Sequence, residues 1–175
     1  GQNSVQQARN QLAAVKSAGY TSTLNAYKNW WHAFWAKSFV QYGGSADNDY
    51  LENAYYLFTY MIAAGGYGNY PLHFINGNFR ATQDNSKWSN GYWYWNQRDV
   101  YNSFYSSNHT ELMRTFNNLY SRNYAAIKSY TQTRYGTDSL WVPETMGWDG
   151  NARGTINSDY VNDLYSTGTE AAYNM

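Results

Sequence analysis

The sequence predicts an all-α protein built from paired antiparallel helices. Three observations carry that expectation. Apolar and aromatic residues recur at intervals of three and four. Glycines punctuate the chain where those patterns stop. No stretch sustains the two-residue alternation of a half-buried strand. Asn3 or Ser4 is expected to cap a first helix over 4–18, rich in Ala, Gln, Arg and Leu, which Gly19 ends. A second helix, over 24–42, carries Trp30, Trp31, Phe34, Trp35, Phe39 and Val40 at helical spacing and stops at Gly43-Gly44-Ser45. Asp47 or Asn48 is expected to cap a third, running to about Ala64 and closed by Gly65-Gly66. Its apolar stripe is Leu51, Ala54, Tyr55, Phe58, Met61 and Ile62.

Over 67–90 the pattern gives way to Gly, Asn, Pro, Asp and Ser. A loop of that length inside a compact domain is usually functional or mobile. A helix over 92–107 follows, entered through the cluster Tyr92-Trp93-Tyr94-Trp95. The clearest helical pattern covers 111–135, where Leu112, Phe116, Leu119, Tyr120, Ile127 and Tyr130 share a face and Gly136 serves as C-cap. A second irregular loop spans 137–157, and a last helix is expected from near Ser158 or Asp159 toward Met175. No internal repeat breaks the 175 residues, a length that suits one domain.

Composition narrows the function. The chain holds 8 Trp, 20 Tyr and 7 Phe, so 20% of it is aromatic, while only 14% is charged. Ordinary globular chains are about 25% charged. Such a chain has too much apolar surface to remain disordered. Lys+Arg and Asp+Glu are both 12, and a net charge of 0 without a Lys/Arg cluster argues against nucleic acid or an anionic membrane as partner. No apolar run approaches the ~20 residues of a membrane helix. The absence of Cys removes disulfides, thiolate metal sites and a cysteine nucleophile. Polarity comes instead from Asn, Gln, Ser, Thr, Tyr and Gly. That chemistry suits a neutral, hydroxyl-rich ligand, and sugars fit best: their C–H faces stack on rings while their hydroxyls bond to amides and carboxylates. A merely Tyr-rich structural protein is the alternative.

No nucleophile elbow, phosphate-binding loop or paired-His zinc helix occurs, and His32, His73 and His109 are scattered, so neither a metal nor a cofactor is expected. Carboxylates are few. Glu144 lies between Pro143 and Thr145 with Trp141 and Trp148 close in sequence, and Asp149 follows Trp148 directly. A carboxyl group desolvated by indoles has a raised pKa, as a general acid working near neutrality needs. Equally, Glu144 or Asp149 could cap a helix or tie down its own loop. The run Trp93-Tyr94-Trp95-Asn96-Gln97-Arg98 joins flat aromatic faces to an amide pair and a guanidinium, a combination that can line a sugar subsite. Core packing, with Arg98 satisfying buried carbonyls, is the competing reading. Asn108-His109-Thr110 is formally a glycosylation sequon, relevant only in a eukaryotic secretory host.

Taken in order, the string from Trp30 to Val40, the pairs Leu51-Glu52 and Tyr55-Tyr56, the run Trp93 to Arg98 and the loop Val142-Pro143-Glu144-Thr145-Met146 resemble part of the six-hairpin glycosidase superfamily. The likeness is greatest to the α-L-fucosidase-like branch with its bacterial members. This resemblance implies an (α/α)6 toroid that hydrolyses glycosidic bonds, typically with inversion by two carboxyl groups about 6.5–9.5 Å apart. It makes Glu144 the acid candidate. Asp149 is a rival, because Gly147-Trp148-Asp149 is similar to the acid loop of trehalases. Asn96 and Arg98 would hold substrate hydroxyls or the attacking water, with Trp93, Trp95, Gln97, Trp141 and Trp148 completing the binding surface. It also leans toward a secreted or periplasmic bacterial setting.

Six hairpins need roughly 200–300 residues or more, so the 175 residues here correspond to part of such a domain. The second carboxylate would then lie on other chain, and the exposed inner faces of the hairpins would favour self-association. Three functions follow as expectations: a glycoside hydrolase or a piece of one acting on an oligosaccharide or polysaccharide, a non-catalytic carbohydrate-binding module using an aromatic platform, or an assembly role for the Tyr and Trp surface.

Overall fold

The computed structural model describes residues 3–73, 91–152, 161 and 164–174. The chain is mostly helical, with one two-stranded antiparallel ladder, and divides into two compact units, Gly1–Phe39 and Val40–Met175. Residues 74–90 of the expected loop over 67–90 and the expected start of the last helix at Ser158 or Asp159 lie outside the described residues.

The first unit consists of α1 (Ser4–Ala18) and α2 (Tyr20–Trp35). The Asn3 side chain accepts the Gln6 N–H at 3.2 Å and caps α1. Gly19, at φ +79°, ends α1 and begins α2 within one residue, a conformation that side-chain-bearing residues resist. Along α2 the aromatics stack at i, i+4: Trp30 on Phe34 at 5.3 Å between ring centroids, and Trp31 on Trp35 at 5.8 Å. The helix starts four residues earlier than its apolar pattern implies and stops at Trp35, short of the expected Tyr42.

The second unit begins where that pattern fails. Val40 exchanges both backbone groups with the Tyr56 hydroxyl, at 3.1 and 2.9 Å, and the Tyr42 N–H donates to Glu52 Oε2 at 3.1 Å. These bonds tie 40–42 to α3 (Ala46–Gly66) outside any helix, so tertiary partners win over helical spacing. The N-cap of α3 is Ser45, whose hydroxyl accepts the Asn48 N–H at 3.2 Å; Asp47 and Asp49 occupy the first turn instead of the cap.

The stretch expected as one helix over 92–107 is divided. Tyr92–Trp93 form β1, followed by α4 (Tyr94–Tyr101) and a single turn, α5 (Ser103–Ser106). The expected helix over 111–135 is likewise two, α6 (Thr110–Arg122) and α7 (Tyr124–Tyr135). Asn123 separates them. Its side-chain amide donates back to the Leu119 carbonyl at 2.8 Å and across to the Trp148 carbonyl at 3.1 Å, and its backbone leaves the helical region. Gly136 caps α7 in the left-handed conformation. The chain then returns through β2 (Thr145–Met146), which pairs with β1 as Tyr92↔Met146 and Trp93↔Thr145, and the last described element is α8 (Ser166–Asn174).

The core of this unit is aromatic. Phe116 of α6 stacks on Tyr101 of α4 at 4.9 Å and meets Tyr120 and Tyr94 at 5.3 and 5.5 Å, while Phe104 stacks on Phe58 of α3 at 5.8 Å. Leu112, Met113, Leu119 and Ile127 fill the remaining space.

Gly150 touches the α6–α7 break. Its φ is +79°, and a Cβ there would stand 2.7 Å from Asn123 Cβ and 3.1 Å from Ala126 Cβ. Gly150→Ala combines a left-handed alanine with a steric clash, and the expected loss of stability is about 2–4 kcal/mol, read by urea titration. An unchanged midpoint would mean that the loop does not pack on Asn123.

Candidate functional site

The β1–β2 ladder brings the Pro143-Glu144-Thr145 loop to the start of α4. The Trp93 side chain, at the N-cap position, makes no capping hydrogen bond. Glu144 supplies what is missing. Its backbone carbonyl accepts the Tyr94 N–H at 2.9 Å, and its Oε1 accepts the Trp95 N–H at 2.8 Å. Its other oxygen accepts the Thr167 hydroxyl of α8 at 3.2 Å. The carboxyl is 2% exposed. Burial pushes its pKa up to about 7, opposed by the Trp95 and Thr167 hydrogen bonds and by Arg98, and reinforced by the charge of Glu170. Near neutrality Glu144 is therefore close to half protonated. In the protonated form Oε1 can still accept from Trp95, while Oε2 donates to Thr167 instead of accepting.

The other residues singled out from the sequence separate into two groups. Trp93 and Trp141 are 4% and 9% exposed and belong to the packed interior; they present no face to a ligand. Trp141 stacks on Tyr130 at 5.8 Å, and its backbone N–H donates to Thr131 Oγ1 at 2.9 Å. Gln97 is 1% exposed, its amide donating to the Leu72 carbonyl, so it anchors a loop. Tyr101, one turn on, accepts the Leu72 N–H at 2.9 Å. Asp149 ties its own turn, accepting the backbone and side-chain N–H groups of Asn151 at 3.2 and 3.0 Å. Trp95 and Trp148, by contrast, are 48% and 61% exposed, and Asn96 and Arg98 are half-buried.

Arg98 leads to an open cleft. Its guanidinium lies 3.8 Å above the Trp95 ring and pairs with Glu170 of α8. Together Arg98 and Glu170 line a cleft of about 750 Å³ between α4, α5 and α8, along with Asp99, Asn102, Tyr105, Thr169, Tyr173 and Asn174. Glu170 is not among the residues singled out from the sequence. The signal was available in the spacing of α8: Thr167, Glu170 and Asn174 fall at i, i+3 and i+7, which puts them on one face. Thr167 meets Glu144, Glu170 meets Arg98, and the Asn174 amide donates to the Tyr94 hydroxyl at 3.4 Å.

Among the described residues no group of three or more His, Asp or Glu side chains could hold a metal ion. Nor is any helix among them long and apolar enough to cross a membrane. Comparison of the chain with protein families, curated proteins and solved structures finds no match.

The Glu144 pKa carries a pH signature. Folding raises it from 4.5 to about 7, so the folded state holds this proton more tightly than the unfolded chain does. The resulting stabilisation is full below pH 4.5 and is lost as pH rises through about 7. The loss amounts to at most about 3 kcal/mol. Glu144→Gln keeps an acceptor for the Trp95 N–H and removes the titration. The wild type should therefore lose stability relative to this variant between pH 5 and pH 8 in urea titrations. Glu144→Ala leaves the helix start uncapped and should cost about 1–3 kcal/mol relative to Glu144→Gln at both pH values, since neither variant titrates there. A wild type and Gln variant that track each other across that range would refute the raised pKa.

Proposed function

We propose that this chain is a carbohydrate-recognition domain that holds an oligosaccharide or polysaccharide in the cleft between α4 and α8. The observation that carries the reading is the Trp95–Arg98–Glu170 array: an exposed indole, a guanidinium 3.8 Å above its ring, and a carboxylate paired to that guanidinium, with Arg98 and Glu170 lining a 750 Å³ cleft. Sugars are read by this chemistry, through C–H stacking on rings and paired hydrogen bonds from planar groups. Asn102, Asn174 and the Tyr105 and Tyr173 rings extend it along the cleft. Zero net charge matches a neutral ligand. The resemblance to six-hairpin glycosidases points to the same class of ligand and belongs to this proposal.

Binding is favoured over turnover because both Glu144 oxygens are engaged in holding helices and the group is 2% exposed. Hydrolysis is the second reading, and one observation favours it. Glu144 carries a pKa of about 7 within the field of the second carboxylate, Glu170. In that reading Glu144 would protonate the leaving oxygen, and Glu170, paired with Arg98, would activate water.

One experiment separates the two: a panel of neutral oligosaccharides assayed for binding and for hydrolysis with the same preparation. A glycan that binds should lose about tenfold or more in affinity with Trp95→Ala and with Arg98→Ala, the loss of one stacked or bidentate contact. Affinity unchanged in both variants would overturn the cleft assignment. Under the hydrolytic reading Glu144→Gln abolishes turnover while binding persists; the binding reading predicts no turnover to abolish.

A further inference from the structure

The net charge of zero conceals a division along the chain. Residues 1–39 contain Arg9, Lys16, Lys28 and Lys37 and no Asp or Glu, so every acid lies in 40–175. Helix α1 buries none of its residues. Val5, Leu12 and Val15 are 58%, 70% and 51% exposed, and with Ala8 they fall at intervals of three and four, forming one apolar stripe. Arg9 and Lys16 each stand four residues beyond a member of that stripe and flank it on one side. Outside a partner's cover, such a stripe is the seam of a helix pair lacking its second helix.

Helix α3 has the opposite charge and the same need. It contains Asp47, Asp49 and Glu52 and neither Lys nor Arg. Tyr50, Leu51 and Leu57 on it are 73%, 54% and 60% exposed. Two α1 helices, each carrying only cations, would repel one another. Charge complementarity selects α3. We infer that this chain self-associates, α1 of one copy packing its apolar, cation-flanked stripe on the exposed, acidic face of α3 of a second copy.

Sedimentation velocity of the full chain over a concentration series tests this, at about 0.05 M and about 0.5 M salt. The expected result is a dimer at low salt whose dissociation constant rises about tenfold or more at high salt. Arg9→Glu with Lys16→Glu should weaken association by a similar factor, as should Asp47→Lys with Asp49→Lys. The chain carrying all four changes should recover it, because the charges are then exchanged. Circular dichroism of each variant confirms that the helices persist. A monomer at every concentration overturns the inference, as does a dimer indifferent to these changes. Weakening by the α1 changes alone, without rescue, would mean that another acidic surface is the partner, and overturns it as well.

Discussion

A helix that opens with Tyr94-Trp95-Asn96 needs an acceptor for its first free N–H groups, and Trp93 before it makes no capping bond. Glu144, 49 residues further along than Trp95, brings a carboxylate to that position. The same side chain reaches α8 through Thr167, and its backbone carbonyl, next to the β1–β2 ladder, accepts the Tyr94 N–H. One buried carboxyl thus fixes the start of α4, the seat of α8 and the course of the Pro143 loop. The cleft is built on these elements: Arg98 stands one turn into α4 and Glu170 one turn into α8. Their pairing presupposes that the two helices are held at this separation, which is the task of Glu144.

Around that junction the interior is built from rings, which explains how a chain with so few charges meets its polar demands. Leu72 is a loop residue with a buried backbone, and its N–H and C=O find Tyr101 and Gln97, one turn apart on α4. Tyr120 in turn offers its hydroxyl to Gln97 at 3.4 Å. Buried amides and phenols satisfy the backbone without the desolvation cost of ions. Burial raises the pKa values of Tyr94, Tyr101 and Tyr120, so these phenols stay neutral donors. A Tyr-rich composition is therefore as much a property of this core as of any ligand surface. Of the tryptophans flagged for stacking, Trp93 and Trp141 are absorbed by the core and Trp95 and Trp148 are left outside.

Local signals were legible where one residue decides the outcome. Asn3 and Gly19 bound α1 as their side-chain chemistry dictates, and Gly136 ends α7 in the same manner. Long-range partners were not legible. The periodicity through Val40 is helical, yet the Tyr56 hydroxyl takes both of its backbone groups. The stripe from Leu112 to Tyr130 runs unbroken in sequence, yet Asn123 interrupts it because the Trp148 carbonyl waits on the other side. The site shows the same limit. Sequence spacing drew attention to Glu144 and left open whether it would donate a proton or cap a helix; only the proximity of the Trp95 N–H, set by strand pairing, shows the capping bond. For Glu170 the sequence offers only its helical register with Thr167 and Asn174; the partner that gives it meaning, Arg98, is 72 residues away.

The arrangement also couples the cleft to the proton on Glu144. Arg98 draws the Glu144 pKa down and Glu170 drives it up, from opposite ends of one ion pair. A ligand hydroxyl that draws the guanidinium away from Glu144 removes a cation from its surroundings and favours the protonated carboxyl. A ligand that screens Glu170 removes an anion and favours the ionised one. Each shift acts on a group whose midpoint is about 7, where occupancy responds most steeply to small changes in free energy. By linkage the effect runs both ways: protonation must alter ligand affinity by the factor with which the ligand alters protonation. Because the capping bond to Trp95 is available to both forms, the helix start survives either state. The variable link is the one to Thr167, where the direction of donation reverses, so α8 is the element through which a change at the cleft and a change at the buried carboxyl reach each other.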